Sequence, residues 1–394
     1  MRILHTSDWH IGRTFHEYPT LDAAKFVLGQ LPELIRKHKI DVVVAAGDIY
    51  DSGKPKPEAV EVLRDLFKGV LDAGAKLVVT SGNHDNAMGL DFAGTFSAGS
   101  GLHIMADVSA LMAPIELNDE DGPVDFYGIP FIEPILHRHL EWIPEKAVTQ
   151  HEVISAAMDQ IRLAVLERQS KGRRSVVLSH TFVAGAEKES SDTELPITRE
   201  PLVAGGLDNV PVNVFDGINY VALGHIHGRA ELKNNVRYSG AIMHFSFKEA
   251  QKPRGGWLVD LLPGKDACVE WIDFPIFRQL TEIKGSFNDI LTKAEYESLV
   301  DHYVRVVYTD DNPVIDANRK LAARFPHFAE VVHVPANRVV RNELTYTDRI
   351  KGKTDIEVID SFLKEVRSGE KASKEELAIL SEALAEVQAE ELGR

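Results

Sequence analysis

Five short stretches of the sequence carry side chains that bind metal ions in many proteins. Their donor groups are carboxylates, an amide and imidazoles, which suit divalent ions. The single cysteine, Cys268, excludes a cysteine-rich zinc or iron–sulfur site. The five stretches are Asp8-Trp9-His10, Gly47-Asp48-Ile49-Tyr50-Asp51, Gly82-Asn83-His84-Asp85, Ser179-His180 and Gly224-His225-Ile226-His227.

The number of donors in these stretches indicates two metal ions. Seven donors are too many for one catalytic ion that keeps an open position, but they suit two ions that share a carboxylate. Two ions about 3.5–4 Å apart hold the attacking and leaving oxygens of a phosphoryl displacement and supply a hydroxide at neutral pH. The sequence therefore predicts phosphate ester hydrolysis at a two-metal site. The predicted ligands are Asp8, His10, Asp48, Asn83, His180, His225 and His227.

A predicted β-strand precedes each stretch, and the early strands alternate with amphipathic helices at 22–39 and 56–73. This alternation predicts an α/β layered domain, in which ligands bind beyond the carboxyl ends of the strands. We expect three glycines, at 47, 82 and 224, to let the chain turn sharply there. Strand alternation predicts that Asp8 and His10 face the same way, as do His225 and His227. The predicted strands cover residues 2–6, 41–46, 76–80, 124–129, 175–179 and 219–223.

The pattern changes after residue 223. Closely spaced strands with Gly and Pro turns are predicted at 236–239, 241–247, 256–262 and 267–274. A small α/β pattern follows over 277–340, including a helix at 288–299, and the last fifty residues are helical and polar. We therefore predict domains at 1–275, 276–342 and 343–394.

In this order, the five stretches resemble the motifs of the calcineurin-like metallophosphoesterase superfamily. Within it, the chain is similar to the SbcD family of bacterial nuclease subunits, on His5-Thr6-Ser7-Asp8-Trp9-His10-Ile11-Gly12-Arg13, on Gly47-Asp48-Ile49-Tyr50-Asp51-Ser52 and on Tyr238-Ser239-Gly240. The resemblance implies a layered β-sandwich flanked by helices, with a small α/β capping domain and a helical C-terminal tail.

The resemblance also implies roles for the site residues. Asp48 would bridge two ions, usually Mn²⁺ with Mg²⁺ as an option, the first on Asp8, His10 and His227, the second on Asn83, His180 and His225. His84 would not bind metal. It would lie over the scissile phosphate and help protonate the leaving oxygen, with Asp85 as its orienting partner.

Two departures separate this chain from the phosphoprotein phosphatases of the superfamily. Ser52 stands where those enzymes have an Arg, and Asp85 stands where they have a Glu. The missing Arg removes a bidentate clamp suited to a phosphomonoester dianion. This difference favours a phosphodiester substrate.

The resemblance implies an exonuclease and endonuclease that acts in DNA repair, recombination and replication by processing double-strand breaks and hairpins. Its partners would be DNA, an SbcC-type coiled-coil ABC ATPase and a second copy, the latter through the helical regions 57–73 and 86–97. The small domain would cap the site and help orient DNA. The expected location is the bacterial cytoplasm, at the nucleoid. The residues expected to face the ATPase are Leu377, Leu380, Leu384 and Val387.

The formal net charge of −16 argues against strong DNA binding by the isolated metal-free chain. Local basic residues remain as candidates for DNA contacts. No apolar run reaches the length of a signal peptide or a membrane span, so no membrane partner is expected. The candidates for DNA contacts are Arg13, Lys54, Lys56, Lys248, Lys252 and Arg254.

Two alternatives stay open at this stage. The first is a small-molecule phosphodiesterase of the same superfamily, for example for cyclic nucleotides, which would need neither a cap nor a partner-binding tail. The second is a non-catalytic scaffold for DNA and the ATPase, in which the metals are structural.

Overall fold

The structure is a computed structural model that describes residues 1–137, 139–169, 172–186, 209–335, 352–367 and 371–392. The predicted strands of the first half are present, with ends shifted by two residues at most. The strands are β1 (Arg2–Thr6), β2 (Thr14–Phe15), β3 (Tyr18–Pro19), β4 (Val42–Ala46), β5 (Lys76–Thr80), β6 (Leu102–Met105), β7 (Ile115–Asp119), β8 (Gly122–Ile129), β9 (Arg174–His180), β10 (Tyr220–Gly224), β11 (Ala230–Lys233), β12 (Val236–Tyr238), β13 (Gly255–Asp260), β14 (Cys268–Asp273), β15 (Leu280–Gly285), β16 (Tyr303–Tyr308) and β17 (Phe328–His333).

One long predicted helix, at 22–39, is two helices in the structure. Pro32 lies in the first turn of the second helix, and its ring is incompatible with a continuous helix through the carbonyl of Leu28. The helices are α1 (Leu21–Leu28), α2 (Leu31–His38), α3 (Pro57–Asp72), α4 (Ala87–Ser97), α5 (Pro134–His137), α6 (Gln150–Gln169), α7 (Phe287–Thr292), α8 (Ala317–Arg324), α9 (Asp355–Val366) and α10 (Lys374–Leu392).

Two six-stranded sheets form the first compact unit, Met1–Leu280. Their strand orders are β14-β13-β1-β4-β5-β6 and β11-β12-β10-β9-β8-β7. One apolar cluster joins Ile3 and Val44 of the first sheet to Phe126 and Leu178 of the second, so the sheets face each other. Helices α1 to α4 pack on the first sheet, and α6 packs on the second. The predicted helix-flanked β-sandwich is confirmed.

The strand predicted at 241–247 is wrong. Ala241 makes only a single bridge to Ser7, and the following residues form an irregular buried segment. This segment ends in a 3₁₀ turn, Phe247–Glu249, where the side chain of Ser246 accepts a hydrogen bond from the Lys248 N–H. Side-chain bonds of this kind compete with a strand ladder for the backbone donors.

The second compact unit covers Thr281–Arg394. It contains the sheet β15-β16-β17 and a core of its own with α7 and α8. The helix predicted at 288–299 is interrupted, because Lys293 is extended between α7 and a 3₁₀ turn, Ala294–Leu299. The predicted boundary between 342 and 343 lies outside the described residues, so the three-domain division stays a prediction.

The C-terminal helices α9 and α10 pack against each other. Helix α10 begins with a capping box of Ser373 and Glu376. At the start of α9, the carboxylate of Glu357 accepts hydrogen bonds from the N–H and the hydroxyl of Thr354. In the part of the chain that the structure describes, we find no helix with the length and apolarity needed to cross a membrane.

Candidate metal centre

The structure brings all seven predicted metal ligands together. His180 is the last residue of β9, and the other six lie in loops that follow β1, β4, β5 and β10. Backbone hydrogen bonds connect two of these loops, because the N–H groups of Asp8 and His10 donate to the carbonyls of Gly47 and Asp48 at 3.1 and 3.0 Å. The expected convergence beyond the strand ends is therefore present in the geometry.

The first half of the cluster contains Asp8, His10 and His227, whose ligand atoms lie within 4.8 Å of one another. The Nε2 atoms of His10 and His227 are 3.1 Å apart. The Oδ2 atom of Asp48 lies 3.6 Å from the Nε2 atom of His10. All four side chains are buried, and the two imidazoles direct a nitrogen at the same point.

The second half contains Asn83, His180 and His225. The Oδ1 atom of Asn83 lies 3.0 Å from Nε2 of His180 and 3.2 Å from Nδ1 of His225. His180 Nε2 is also 3.3 Å from Oδ2 of Asp48. The Nδ1–H of His180 donates to the carbonyl of Ala46 at 2.9 Å, so its Nε2 is the nitrogen that faces the cluster. Asp48 therefore lies between the two halves.

The charges of the cluster fit two divalent cations. Within the described part of the chain, the buried Oδ2 atom of Asp48 has no hydrogen-bond partner. The pKa of Asp8 is raised to about 7, mainly by burial and partly by the neighbouring Asp48, although the charge of His180 opposes the rise. Burial is the largest influence on the pKa of Asp48 and raises it, but His180, His10 and His84 together outweigh burial and lower this pKa. Cations here would satisfy the free oxygen and remove the cost of two adjacent buried carboxylates.

The backbone of the cluster is strained. Asp8, His10, Asp48 and His225 have φ angles of 50°, 42°, 49° and 110°. Few non-glycine residues adopt positive φ, and such residues concentrate at functional sites. The alternation argument for Asp8 and His10 is wrong, because β1 ends at Thr6. Left-handed turns, not strand pleating, direct these side chains inward.

Of the three glycines expected to turn the chain, only Gly47 has a positive φ, at 82°. The other two provide space. A Cβ on Gly82 would lie 2.1 Å from Oδ1 of Asp48, and one on Gly224 would lie 1.8 Å from the carbonyl oxygen of Ala46. The expected sharp turn is therefore present at Gly47, and the expectation is wrong for Gly82 and Gly224, where a glycine is needed for space.

The predicted pairing of His84 with Asp85 is also corrected. The carboxylate of Asp85 accepts the N–H groups of Ile49, Tyr50 and Gly82 at 2.9–3.0 Å, and so connects two site loops. The Nδ1–H of His84 instead donates to the carbonyl of Asp51 at 3.0 Å. Burial and Asp48 raise the pKa of Asp85 to about 6.

Asp51 is a site residue that the sequence interpretation missed. Its Oδ1 atom lies 3.3 Å from Nδ1 of His10, 3.9 Å from Nδ1 of His84 and 3.5 Å from Nη1 of Arg13. The sequence did contain a pointer, because Asp51 is the second acidic residue of the Gly-Asp-x-x-Asp stretch.

The buried pair of Glu249 and Arg254 was also missed. Glu249 Oε1 lies 3.5 Å from Nδ1 of His227, and Arg254 Nη2 lies 2.6 Å from Glu249 Oε2. Burial raises the pKa of Glu249, but His227 and Arg254 outweigh it and lower the pKa to about 2. Arg254 is buried, so its predicted DNA contact is wrong. No sequence pattern connects residues 249 and 254 to residue 227.

The other predicted DNA-contact residues occupy different positions. Arg13 belongs to the site, because its guanidinium lies 4.6 Å from the ring centre of Phe245, whose ring is 5.4 Å from that of His10. Lys54, Lys56 and Lys248 are exposed, and Lys252 is partly exposed. Their contacts with DNA stay a prediction.

The predicted partner-facing residues on α10 are only partly exposed. Leu377, Leu380 and Leu384 are half-buried, and the side chain of Val387 lies outside the described part of the chain. Ile379 is exposed on the same helix, as are Phe362 and Val366 on α9. The described apolar surface of the tail therefore differs from the predicted one.

Comparison with solved structures gives weak similarity. A dimetal phosphatase from Danio rerio is 12% identical, with a TM-score of 0.38 over 70% of this chain and 98% of that chain. A family 1 β-glucosidase from Thermotoga maritima is also 12% identical, with a TM-score of 0.20 over 84% of this chain and 83% of that chain.

Two family models match the sequence. Calcineurin-like phosphoesterase matches residues 1–229, more than half of the chain and all seven clustered donors. The second, SbcD_C, described as the type 5 capsule protein repressor C-terminal domain, matches residues 276–367. The chain belongs to the calcineurin-like phosphoesterase family, and the two matches together make it a metallophosphoesterase of the SbcD type.

Proposed function

We propose that this protein is a DNA nuclease that hydrolyses phosphodiester bonds as an exonuclease and an endonuclease, with two Mn²⁺ ions. The observation that carries the proposal is the cluster of seven oxygen and imidazole donors around Asp48, in a chain that also has an SbcD-type C-terminal domain. Two bound divalent ions would polarise the phosphate and supply a hydroxide at neutral pH.

The residues around the metal ligands have separate tasks in this proposal. Asp48 holds the two halves of the cluster together. The Nδ1–H of His84 donates to the carbonyl of Asp51, so the protonated imidazole would carry its second proton on Nε2 and would give that proton to the leaving oxygen. His84 is about a third exposed, whereas His10 and His227 are fully buried, so His84 is the imidazole that a substrate reaches first.

A diester substrate is consistent with the cations around the cluster. Ser52 is exposed and supplies no positive charge at the position where related phosphatases have an Arg. Arg13 lies beside the same Asp51 but is held by Phe245 and by that carboxylate. We propose that Arg13 contacts one phosphate of DNA, and that Lys54, Lys56, Lys248 and Lys252 contribute weaker phosphate contacts.

We propose homodimerisation through α3 and α4. These helices border an apolar groove of about 460 Å³, lined by Val60 and Leu63 of α3 and Leu90 of α4. Met88 and Phe92 on α4 are 84% and 70% exposed. A contiguous patch of exposed apolar side chains marks an interaction surface, whereas a single exposed apolar side chain is ordinary. A second copy would cover both the groove and these side chains.

We propose that the tail docks on an SbcC-type coiled-coil ABC ATPase and that the small α/β domain helps orient DNA. Phe362, Val366 and Ile379 are the large exposed apolar residues of the tail in the part that the structure describes. We propose them as contacts together with the predicted Leu377, Leu380, Leu384 and Val387. An amphipathic helical hairpin commonly binds in an apolar groove or against a coiled coil. Action in double-strand-break and hairpin processing, at the bacterial nucleoid in the cytoplasm, belongs to this proposal.

The test is a cleavage assay with the full chain, alone and with the ATPase. Supercoiled plasmid, end-labelled duplex, hairpin DNA and cyclic nucleotides are each incubated with Mn²⁺, Mg²⁺ or a chelator. We expect Mn²⁺-dependent DNA cleavage that the chelator abolishes. Hydrolysis of cyclic nucleotides without DNA cleavage would identify a small-molecule phosphodiesterase instead, and no hydrolysis of any substrate by the metal-loaded complex would leave a scaffold.

A further inference from the structure

We propose that Glu249 is a positioning residue that, together with Arg254, fixes the imidazole of His227 for metal binding. The proposal rests on the proposed two-metal function, because it takes His227 as a ligand. It assigns a role to a buried ion pair that the hydrolytic chemistry itself does not use.

The carboxylate of Glu249 is anchored through one oxygen and faces the imidazole with the other. Oε2 accepts hydrogen bonds from Nη2 of Arg254 at 2.6 Å and from the N–H of Phe245 at 2.9 Å. Oε1 lies 3.5 Å from Nδ1 of His227. Glu249 and Arg254 are each only 2% exposed, so water does not screen the pair. The ionised carboxylate therefore favours a proton on Nδ1 of His227.

The tautomer matters because the opposite nitrogen faces the metal cluster. Nε2 of His227 lies 3.1 Å from Nε2 of His10. When Nδ1 carries the proton, Nε2 presents its lone pair to a cation at this point. A carboxylate behind a ligating imidazole also increases its basicity, and removal of such a partner typically costs 10- to 100-fold in metal affinity.

The pair also holds the backbone of this ligand. The Nη1 group of Arg254 donates to the carbonyl of His227 while Nη2 binds Glu249. The ring of Phe245 lies 5.3 Å from the ring of His227 and limits its tilt. Three residues of the segment 245–254 thus hold His227. Arg254 binds its carbonyl, Glu249 faces Nδ1, and the ring of Phe245 lies beside the imidazole.

The two metal positions should respond differently to loss of Glu249. His180, in the second half of the cluster, has the neutral carbonyl of Ala46 behind it at 2.9 Å. The carboxylate of Glu249, by contrast, contacts Phe245, His227 and Arg254. If Glu249 positions His227, its loss lowers the affinity for one ion and leaves the affinity for the other unchanged. General destabilisation would lower both affinities.

The experiment measures Mn²⁺ binding to the full chain by calorimetry, with bound ions counted by electron paramagnetic resonance. We expect wild type to bind two ions. Glu249→Gln should weaken one of them about tenfold or more, in line with the known effect of such partners, and leave the other within about twofold. Glu270→Gln, an exposed carboxylate on β14, is the matched control and should bind both ions as wild type does.

Arg254 could lose its partner in the single variant and unfold the chain, so Glu249→Gln with Arg254→Met is a second variant that leaves no buried charge unpaired. It should show the same selective loss. The positioning role would be overturned if either variant bound two ions with wild-type affinity. An equal loss of affinity for both ions would overturn it as well. If wild type itself fails to bind two ions, the proposed function is wrong, and this role is wrong with it.

Discussion

Two buried histidines on the same strand and its following loop show how the sandwich interior differs from its functional edge. His5 lies within β1, and both of its ring nitrogens are satisfied: Nδ1 accepts from the hydroxyl of Tyr220 at 2.9 Å, and Nε2 donates to the carbonyl of Leu223 at 3.1 Å. His10, five residues later, has Nε2 of His227 at 3.1 Å from its own Nε2.

Burial does not distinguish these two positions. Both side chains are fully buried, and burial lowers the pKa of His5 to about 3 and that of His10 to about 4. The difference lies in the partners. His5 has one hydrogen-bond donor and one acceptor as partners. The Nε2 atom of His10 instead faces the Nε2 atom of His227 and the Oδ2 atom of Asp48, which is a pure acceptor. Unmatched lone pairs that converge, rather than a perturbed pKa, mark the metal centre.

The largest expected effect is a loss of hydrolytic activity when the metal cluster at the functional edge of the sandwich is changed. Asp48→Asn keeps the shape of the side chain but removes the charge that both halves of the cluster share. We expect Mn²⁺-dependent hydrolysis to fall at least about a thousandfold, which corresponds to about 4 kcal/mol of transition-state stabilisation. Initial rates on duplex DNA give the measurement, and thermal unfolding controls for the fold. Retention of a large part of the activity would contradict the bridging role.

A second variant at the functional edge distinguishes a metal ligand from a residue that acts on the substrate. His84→Gln should lower the cleavage rate about 10²- to 10³-fold, because the variant has no imidazole proton for the leaving oxygen. It should leave the binding of two ions unchanged, because His84 is proposed not to be a ligand. Calorimetric loss of an ion would make His84 a ligand, and an unchanged rate would remove it from catalysis.

The matching change in the interior should have the opposite outcome. His5→Leu leaves the hydroxyl of Tyr220 and the carbonyl of Leu223 without their partner, which costs about 2 kcal/mol or more of unfolding free energy. Metal stoichiometry should stay at the wild-type value. Urea unfolding of the metal-free protein and Mn²⁺ titration check the two statements. Loss of a metal ion in this variant would break the proposed distinction between interior and edge.

The smallest expected effect is a pH slope. The unfolded chain protonates His5 near pH 6.5, whereas the folded chain keeps it neutral to about pH 3. The unfolded state therefore binds more protons in this window, and stability falls as the pH decreases, by about 1.4 kcal/mol per pH unit for this group.

His5→Leu should reduce the slope of the metal-free protein by that amount between pH 6 and about pH 4. The unfolding free energy is measured at several pH values in both proteins. Equal slopes would mean that His5 is not the buried neutral group that its contacts indicate.

The sequence predicted most strands of the first half well because they are short apolar runs, several of which end in Gly, Asp, Asn or His. It also predicted which loops meet, since the carboxyl ends of parallel strands share an edge. It could not predict that Asp85 connects loops while Asp51 orients His84, because both lie in motif positions with identical chemistry. Glu249 and Arg254 follow an irregular segment that resembles a strand in pattern, and their role depends on a contact with residue 227 that no local spacing records.

The contact between His10 and His227 spans 217 residues, which has a consequence for the order of events during synthesis. Local helices and the early parallel strands can form while the chain is still emerging, but long-range contacts wait for their distant partners. The cluster of seven donors is therefore among the last parts of the sandwich to assemble. A nascent chain that stops before residue 227 carries six of the seven donors and lacks the histidine that completes the Asp8, His10 and His227 half of the cluster. Under the proposed function, such a chain should leave nearby nucleic acid intact.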